Sequence, residues 1–288
     1  MIHPGKLHAI VAGLSDRFGV IAPPMPQAYT TGTGERGPGG YRVLENGVAV
    51  LDIFGVLAHR GGFNAESDYI QGYSQIANGF ESALADPSVR AILLNIESPG
   101  GEVSGAFQLA DQIYSARGIK PIAAVASDMA VSAAYLIASA ADTVSVSPTG
   151  MVGSIGVVTS HVDMSRAVDA MGMQVTYIYA GKHKIDGNPL SPLPEEVAAQ
   201  VQADVNYYYG LFTAAVGRYR PSLGSDGAAK TEAQMYIGQH ALAARLADYL
   251  ETPDQAITRL ATQIPKPTSS ARRAQGASSM NFLELRLS

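Results

Sequence analysis

The sequence predicts an α/β fold with a mainly parallel sheet. Short, almost continuous apolar runs alternate along the chain with segments whose apolar residues recur at helical spacing. Strands of a parallel sheet are buried on both faces and are therefore apolar throughout, and the helices that connect them cover those faces. No internal repeat interrupts this alternation, so we expect one layered α/β domain rather than a solenoid.

The predicted strands are the apolar runs, and the predicted helices are the periodic segments between and after them. The strands cover residues 48–54, 91–96, 121–126, 143–146 and 175–179. The helices cover residues 102–116, 130–140, 164–171 and 193–218. The last helix has the clearest pattern, because Pro194, Glu195 and Glu196 are typical of a helix start and apolar residues line one face after them.

We expect the compact domain to span residues 41–264. Residues 1–40 form an N-terminal arm, in which one short amphipathic helix over residues 1–22 precedes a Pro-, Gly- and Thr-rich linker. Residues 265–288 have the composition of a flexible tail. The start of the chain lacks a signal-peptide pattern, and the apolar stretch at 121–141 contains too much alanine and too many polar residues to insert well into a bilayer. We therefore expect a soluble, cytoplasmic protein without a membrane anchor.

Composition excludes several kinds of chemistry. The 288 residues carry a net charge of −5 and include no cysteine. The lack of cysteine rules out disulfides, a thiolate nucleophile and cysteine-based zinc sites. A negative charge without a dense Lys/Arg cluster argues against nucleic acid as the main partner. We predict no metal and no cofactor.

The motif Ser98-Pro99-Gly100-Gly101 lies between a predicted strand and a predicted helix. Glycines at such a junction let the backbone approach a substrate closely, and free amides at a helix start point toward developing negative charge. Acyl-transfer enzymes need such donors for the oxyanion. A tight turn is the alternative interpretation of these four residues.

Ser132 has a similar setting, and Ala133 after it would offer a second amide. A serine becomes a good nucleophile only when a base takes its proton, and a desolvated lysine can be that base. Lys184 is the candidate, and it has to be buried to be neutral near pH 7. Taken singly, Ser132 is typical of a helix cap, Lys184 of a solvated loop and Ser154, in the glycine-rich segment between them, of a turn.

Together the motifs resemble a known family. In order they are Ser-Pro-Gly-Gly (98–101), Asp-Met-x-x-Ser-Ala (128–133), Thr-Gly-x-x-Gly-Ser-Ile-Gly-Val (149–157) and Gly-Lys-His-Lys-x-Asp-Gly-Asn-Pro (181–189). The set resembles the S49 peptidases, which are the signal peptide peptidase A relatives within the ClpP/crotonase superfamily. It is most similar to the phage branch, the lambda-type head maturation proteases.

The resemblance implies a catalytic role for each matching residue. Ser132 would be the nucleophile, Lys184 the general base and Ser154 the serine that orients the lysine. Gly101 and Ala133 would supply the amides of the oxyanion hole. The implied reaction is peptide hydrolysis through an acyl-enzyme.

The resemblance also implies a fold and partners. The fold would be a ClpP/crotonase-like spiral of ββα units, which relatives usually assemble into homo-oligomeric rings. The implied substrates are capsid, portal or scaffold proteins, cleaved in the host cytoplasm or within proheads. Apart from the resemblance, we expect exposed strand edges near residues 152–157 and 101–103 to hold an extended peptide by strand addition, with Gly100, Val152 and Gly153 as substrate contacts.

Other functions remain open. A Ser-His-Asp peptidase would use His161 or His183 as its base. A crotonase-like acyl-CoA enzyme would use the same oxyanion site without a serine nucleophile. A cellular signal-peptide-peptidase-like protease would differ in its substrate, and a ring-forming assembly protein would have no activity.

Overall fold

A computed structural model describes residues 40–63 and 69–263. In chain order its strands are β1 (Arg42–Val43), β2 (Val48–Ala58), β3 (Gly62–Phe63), β4 (Tyr69–Gly72), β5 (Ala91–Gly101), β6 (Ile122–Val131), β7 (Thr143–Val146), β8 (Met151–Gly153), β9 (Met235–Ile237) and β10 (Tyr249–Leu250). Its helices are α1 (Tyr73–Ala85), α2 (Ala106–Ser115), α3 (Ala133–Ser139), α4 (Ser165–Ala170), α5 (Glu195–Tyr219), α6 (Gly224–Lys230), α7 (Gln239–Ala243) and α8 (Pro253–Gln263). The predicted tail and the predicted arm, except Gly40, lie outside the described residues.

The strands form a sheet in the order β10-β7-β6-β5-β2-β4-β3. The pairings from β10 to β4 along this order are all parallel. β8 pairs with the end of β6 in parallel, beyond β7, and β9 lies antiparallel to β8. This topology confirms the predicted α/β class and the mainly parallel sheet.

Both faces of the sheet are buried, which explains the continuous apolar runs of β2, β5 and β6. One face packs against α1, α2 and α3 in the main core, and the opposite face packs against α8. The smaller core consists of alternate strand residues and one side of α8, namely Val48, Val50, Ala91, Leu93, Ala123, Val125, Ala256 and Leu260.

Two central strands extend further than the sequence predicts. β5 continues through Gly101 because its last residues pair with β2, and β6 continues to Val131 because β8 pairs with its end. The helix after β5 starts only at Ala106, since Gly105 has a φ of 94° and breaks the helical path. The predicted starts of these helices, at 102 and 130, are therefore wrong by a few residues.

The strand predicted over residues 175–179 is absent from the structure. Its residues are exposed, and none of residues 156–211 is buried. A strand needs a neighbour to accept and donate backbone hydrogen bonds, and among residues 40–63 and 69–263 this segment has none. We call residues 156–211 the projecting segment. It ends within α5, which joins the core only through its last turns, beginning at Phe212.

Among residues 40–63 and 69–263, none of the helices combines the length and the apolar character that crossing a membrane requires.

Candidate active site

Ser132 lies at the junction between β6 and α3, at the carboxyl end of a central parallel strand. Crevices beyond the carboxyl ends of parallel strands are where α/β folds bind their ligands. Ser132 has φ 57° and ψ −129°, a conformation that L-residues rarely adopt. Such strained residues cost about 1–3 kcal/mol and concentrate at functional sites.

The Ser132 hydroxyl does not cap α3, although Ser132 occupies the N-cap position. The backbone of Ser132 is held instead: its amide donates to the Gly153 carbonyl at 2.9 Å, and its carbonyl accepts from Tyr135 and Leu136. The side chain is half-buried. The helix-cap interpretation is therefore wrong, and the hydroxyl is available for chemistry.

Gly100 packs directly against Ser132. A Cβ on Gly100 would lie 2.8 Å from the Ser132 Cβ, 2.8 Å from the Val131 carbonyl oxygen and 2.9 Å from the Ala133 nitrogen. Gly100 also has a φ of +95°. Both the close approach and the backbone conformation require glycine, so the structure brings the Ser-Pro-Gly-Gly motif to the nucleophile.

The two amides that the resemblance names as oxyanion donors belong to Ala133 and Gly101. Ala133 is the first residue of α3, where an amide has no acceptor within the helix, and no other acceptor occurs among the described residues. The Glu102 amide donates to Leu57 of β2, and successive amides of a strand point to opposite sides. The Gly101 amide therefore points away from β2, toward the side on which β6 and Ser132 lie.

Ser154 follows β8, and the register places it next to Ser132. Val131 pairs with Gly153, so the two serines come directly after paired residues of neighbouring parallel strands. Ser154 is fully buried, has a φ of 54°, and its amide donates to the Gln234 carbonyl at 2.8 Å. The structure thus brings Ser132 and Ser154 together, at the ends of β6 and β8.

β8 has no free edge for a peptide. It pairs with β6 on one side and with β9 on the other, and Val152 and Gly153 are buried. Strand addition at Val152 and Gly153, as the sequence suggests, is therefore blocked. Gly101 is exposed at the end of β5, and the side of it that faces away from β2 has no strand partner in the described chain.

Lys184 is not brought to Ser132 within the single chain. It lies in a series of turns on the projecting segment, its side chain is exposed, and it forms no side-chain hydrogen bond or ion pair with any described residue. The burial that a lysine base requires is therefore not present here. Neighbouring Lys182 forms an exposed ion pair with Glu196.

The two histidines of the alternative mechanism also lie on the projecting segment. His161 Nε2 contacts the Asn188 carbonyl oxygen at 3.0 Å, and His183 Nδ1 contacts Asp186 Oδ2 at 2.7 Å. Neither contacts Ser132 among the described residues. Residues 40–63 and 69–263 also contain no group of three His, Asp or Glu side chains suited to a metal ion.

Two exposed carboxylates lie on β5 and β6, close in sequence to Ser98 and Ser132. Glu97 on β5 and Asp128 on β6 lie on adjacent strands, where the register of the two strands shifts. Partial burial, together with the charge of Asp128, raises the pKa of Glu97.

Sequence reasoning also missed residues that support the glycine motif. The Ser98 hydroxyl donates to the Gly55 carbonyl and accepts from the Gly100 amide. Tyr73, which is buried, donates to the Glu102 carbonyl. Burial and the nearby Glu102 raise the pKa of Tyr73, so it stays a donor. No spacing pattern relates Tyr73 to the motif, whereas Ser98 is part of it.

Known proteins resemble this chain in sequence. The chain is 41% identical over 224 residues to the head-tail preconnector protein GP5 of Enterobacteria phage P21, a match that covers 78% of this chain and 44% of GP5. It is 40% identical over 225 residues to the capsid assembly protease C of Escherichia phage lambda, covering 78% and 51% of the two chains. The chain thus spans about half the length of these relatives.

A solved structure of an enoyl-CoA hydratase from Mycobacterium avium subsp. paratuberculosis is also similar, with a TM-score of 0.46 and 16% identity over 84% of each chain. The model of peptidase family S49 matches residues 115–265, more than half of the 288-residue chain. The matched range includes Ser132, Ser154 and Lys184. The chain belongs to peptidase family S49.

Proposed function

We propose that this chain is a serine endopeptidase with Ser132 as nucleophile and Lys184 as general base, and that it processes proteins of phage capsid assembly. The conformation of Ser132 carries the proposal. Its backbone is strained, its hydroxyl does not cap the helix, and a glycine packs against it. The similarity to a protein named as a capsid assembly protease supports the choice of substrate.

The proposed reaction has two halves. Ser132 Oγ attacks the peptide carbonyl carbon while the neutral Lys184 amine takes the hydroxyl proton. The amides of Gly101 and Ala133 donate to the oxyanion of the tetrahedral intermediate. The carbon–nitrogen bond breaks, and the lysine ammonium gives its proton to the leaving amine. Water then attacks the acyl-enzyme with Lys184 again as base, which releases the new carboxyl end and restores Ser132.

We propose that the dyad is completed in a homo-oligomeric ring. The projecting segment carries Lys184 and exposes several large apolar side chains, which is typical of an interaction surface. Its strongly exposed apolar residues are Val158, Met171, Met173, Val175, Ile178, Tyr179 and Tyr207. A neighbouring copy that covers this surface would remove water from Lys184 and bring it to Ser132. Ser154, buried beside Ser132, would then orient the lysine.

The substrate is proposed to lie extended along the end of β5. Gly100 and Gly101 leave room for its backbone, and the side of Gly101 facing away from β2 can pair with it. Val152 and Gly153 are proposed to form the wall beside the scissile bond, from within β8. The exposed carboxylates of Glu97 and Asp128, close in sequence to Ser98 and Ser132, would disfavour acidic residues of the substrate there.

The test is processing of the natural substrate. Wild type and Ser132→Ala are co-expressed with candidate phage capsid, portal and scaffold proteins, and new protein termini are identified by mass spectrometry in lysates and in any assembled particles. We expect new termini with wild type alone. Identical termini with Ser132→Ala would refute the nucleophile, and assembly without any cleavage would favour a non-catalytic ring protein.

A further inference from the structure

The chain segment that carries the Gly101 amide is held by two buried hydroxyls. Ser98, which has no exposed surface, donates its hydroxyl hydrogen to the Gly55 carbonyl at 2.7 Å. The same oxygen accepts the Gly100 amide at 3.1 Å. Ser98 therefore ties the residue before Gly101 to the irregular part of β2, where the pairing with β5 shifts register.

Tyr73 holds the other side of Gly101. Its side chain is 3% exposed, and its hydroxyl donates to the Glu102 carbonyl at 2.7 Å. The Glu102 amide donates to Leu57 at 2.9 Å, and the Glu102 carboxylate accepts from the amide of His59 at 2.8 Å. The residue after Gly101 is thus bound at its amide, its carbonyl and its side chain.

Gly101 itself has no side chain with which to fix its own direction. A Cβ at this position would lie 1.7 Å from the Leu57 carbonyl oxygen, so the position accepts only glycine. Gly100 is also restricted, because its Cβ position lies 2.8 Å from the Ser132 Cβ and its φ of +95° favours glycine. Neither glycine has a side chain to hold it, so the direction of this segment depends on its pairing with β2 and on the contacts of Ser98 and Glu102.

We infer that the hydroxyls of Ser98 and Tyr73 are positioning groups that aim the Gly101 amide at the oxyanion. The inference rests on the proposed function, in which that amide stabilises the tetrahedral intermediate. An oxyanion donor is effective because it is already oriented when the charge develops, and removal of one such donor costs about 10²–10³-fold in kcat. Loss of either positioning hydroxyl leaves the Gly101 amide present but less precisely oriented. We therefore expect about a 10- to 100-fold loss in kcat.

The test compares Tyr73→Phe and Ser98→Ala with two matched controls. Tyr41→Phe removes the hydroxyl of another buried tyrosine, which bonds Asp86, and Ser139→Ala removes the hydroxyl of another buried serine, which bonds the Leu136 carbonyl. Each variant is assayed with a matched peptide ester and thionoester. Sulfur accepts hydrogen bonds poorly, so the rate ratio of ester to thionoester reports how well the oxyanion donors are aimed.

For Tyr73→Phe and Ser98→Ala, we expect kcat to fall, KM to stay within about twofold, and the ester-to-thionoester ratio to drop several-fold toward one. The controls keep the wild-type ratio. An unchanged ratio in both test variants, or a change confined to KM, overturns the inference. Rates are normalised to Ser132 titrated with a fluorophosphonate, and if Ser98→Ala does not fold, Tyr73→Phe decides alone because it retains the core ring.

The ester assay and the fluorophosphonate labelling together separate the positioning inference from the proposed function. If Ser132→Ala still cleaves the ester, the proposed function fails, whatever the hydroxyl variants do. If Ser132 is required and labelled while Tyr73→Phe and Ser98→Ala behave like Tyr41→Phe and Ser139→Ala, the positioning inference alone fails.

Discussion

Gly100 lies against Ser132 so closely that a single added methyl group would reach within 2.8 Å of the serine Cβ. The contact joins the end of β5 to the start of α3, and it places the proposed nucleophile beside the proposed oxyanion amide. The two residues belong to separate motifs of the sequence.

Gly100→Ala should therefore abolish activity, with at least about a 10²-fold fall in kcat/KM, because the methyl group displaces Ser132 or the Ala133 amide. Gly118→Ala is the matched control. Gly118 has a similar φ of +84° but nothing within 4 Å of its Cβ position. Both variants should lose stability through backbone strain, by about 1 kcal/mol or more in urea denaturation. If Gly118→Ala also loses activity, backbone strain rather than the contact with Ser132 explains the effect of Gly100→Ala.

Ser132→Gly should be more stable than Ser132→Ala, by about 1–3 kcal/mol in the free energy of unfolding. Glycine adopts a φ of 57° and ψ of −129° without strain, whereas alanine keeps the Cβ that causes it. Both variants should be inactive and should resist fluorophosphonate labelling. Equal stabilities would mean that the backbone at 132 relaxes in solution.

Lys184→Ala should be inactive, because it lacks the proposed base. The cleavage activity of His161→Ala and His183→Ala should stay within about threefold of wild type, because neither histidine belongs to the proposed dyad. Peptide cleavage by each purified variant decides between the lysine and histidine mechanisms. An inactive His183→Ala beside an active Lys184→Ala would favour the Ser-His alternative.

Mixing Ser132→Ala with Lys184→Ala tests where the lysine comes from. If Lys184 serves the Ser132 of a neighbouring copy, subunits refolded together at equal amounts should recover about a quarter of wild-type activity, because one pairing in four joins two intact residues. If each chain completes its own dyad, the mixture stays inactive. Light scattering on the same samples shows whether subunits assemble.

Asp248→Asn should lower the free energy of unfolding by about 3 kcal/mol at neutral pH. This is the lower end of the range for a broken buried ion pair, because a third of the Asp248 side chain is exposed. Its carboxylate oxygens accept hydrogen bonds from both terminal nitrogens of Arg220, at 2.6 and 2.7 Å, and from the Val144 amide. Burial alone would raise the pKa of Asp248, but these hydrogen bonds and the Arg220 charge outweigh it and lower the pKa.

A lowered pKa stabilises the fold above the unfolded-state pKa, and the stabilisation is lost as pH falls through the folded value. Wild type should therefore lose stability below about pH 4, and Asp248→Asn should lose less over the same range. Urea denaturation at several pH values measures both. Glu196→Gln, in the exposed pair with Lys182, is the control and should change stability by less than about 0.5 kcal/mol.

Prediction from sequence succeeded best where burial is continuous. The apolar runs at 91–96 and 121–126 are strands of the central sheet, and the Ser-Pro-Gly-Gly and Ser132 motifs follow them closely. It failed at residues 175–179, whose pattern is that of a strand but which have no partner strand in the part of the chain that the structure describes. It also missed β9, whose three residues form a strand only because β8 lies beside them.

The sequence by itself determined the α/β class, the family and the identity of the residues proposed for chemistry, since apolar periodicity and motif order are local properties of the chain. Only the tertiary structure decided which residues meet. The parallel register brought Gly100, Ser132 and Ser154 to the carboxyl ends of three adjacent strands, added Ser98 and Tyr73 behind them, and left Lys184 on the projecting segment. Contacts between residues far apart in sequence depend on strand order and register, which no local pattern encodes.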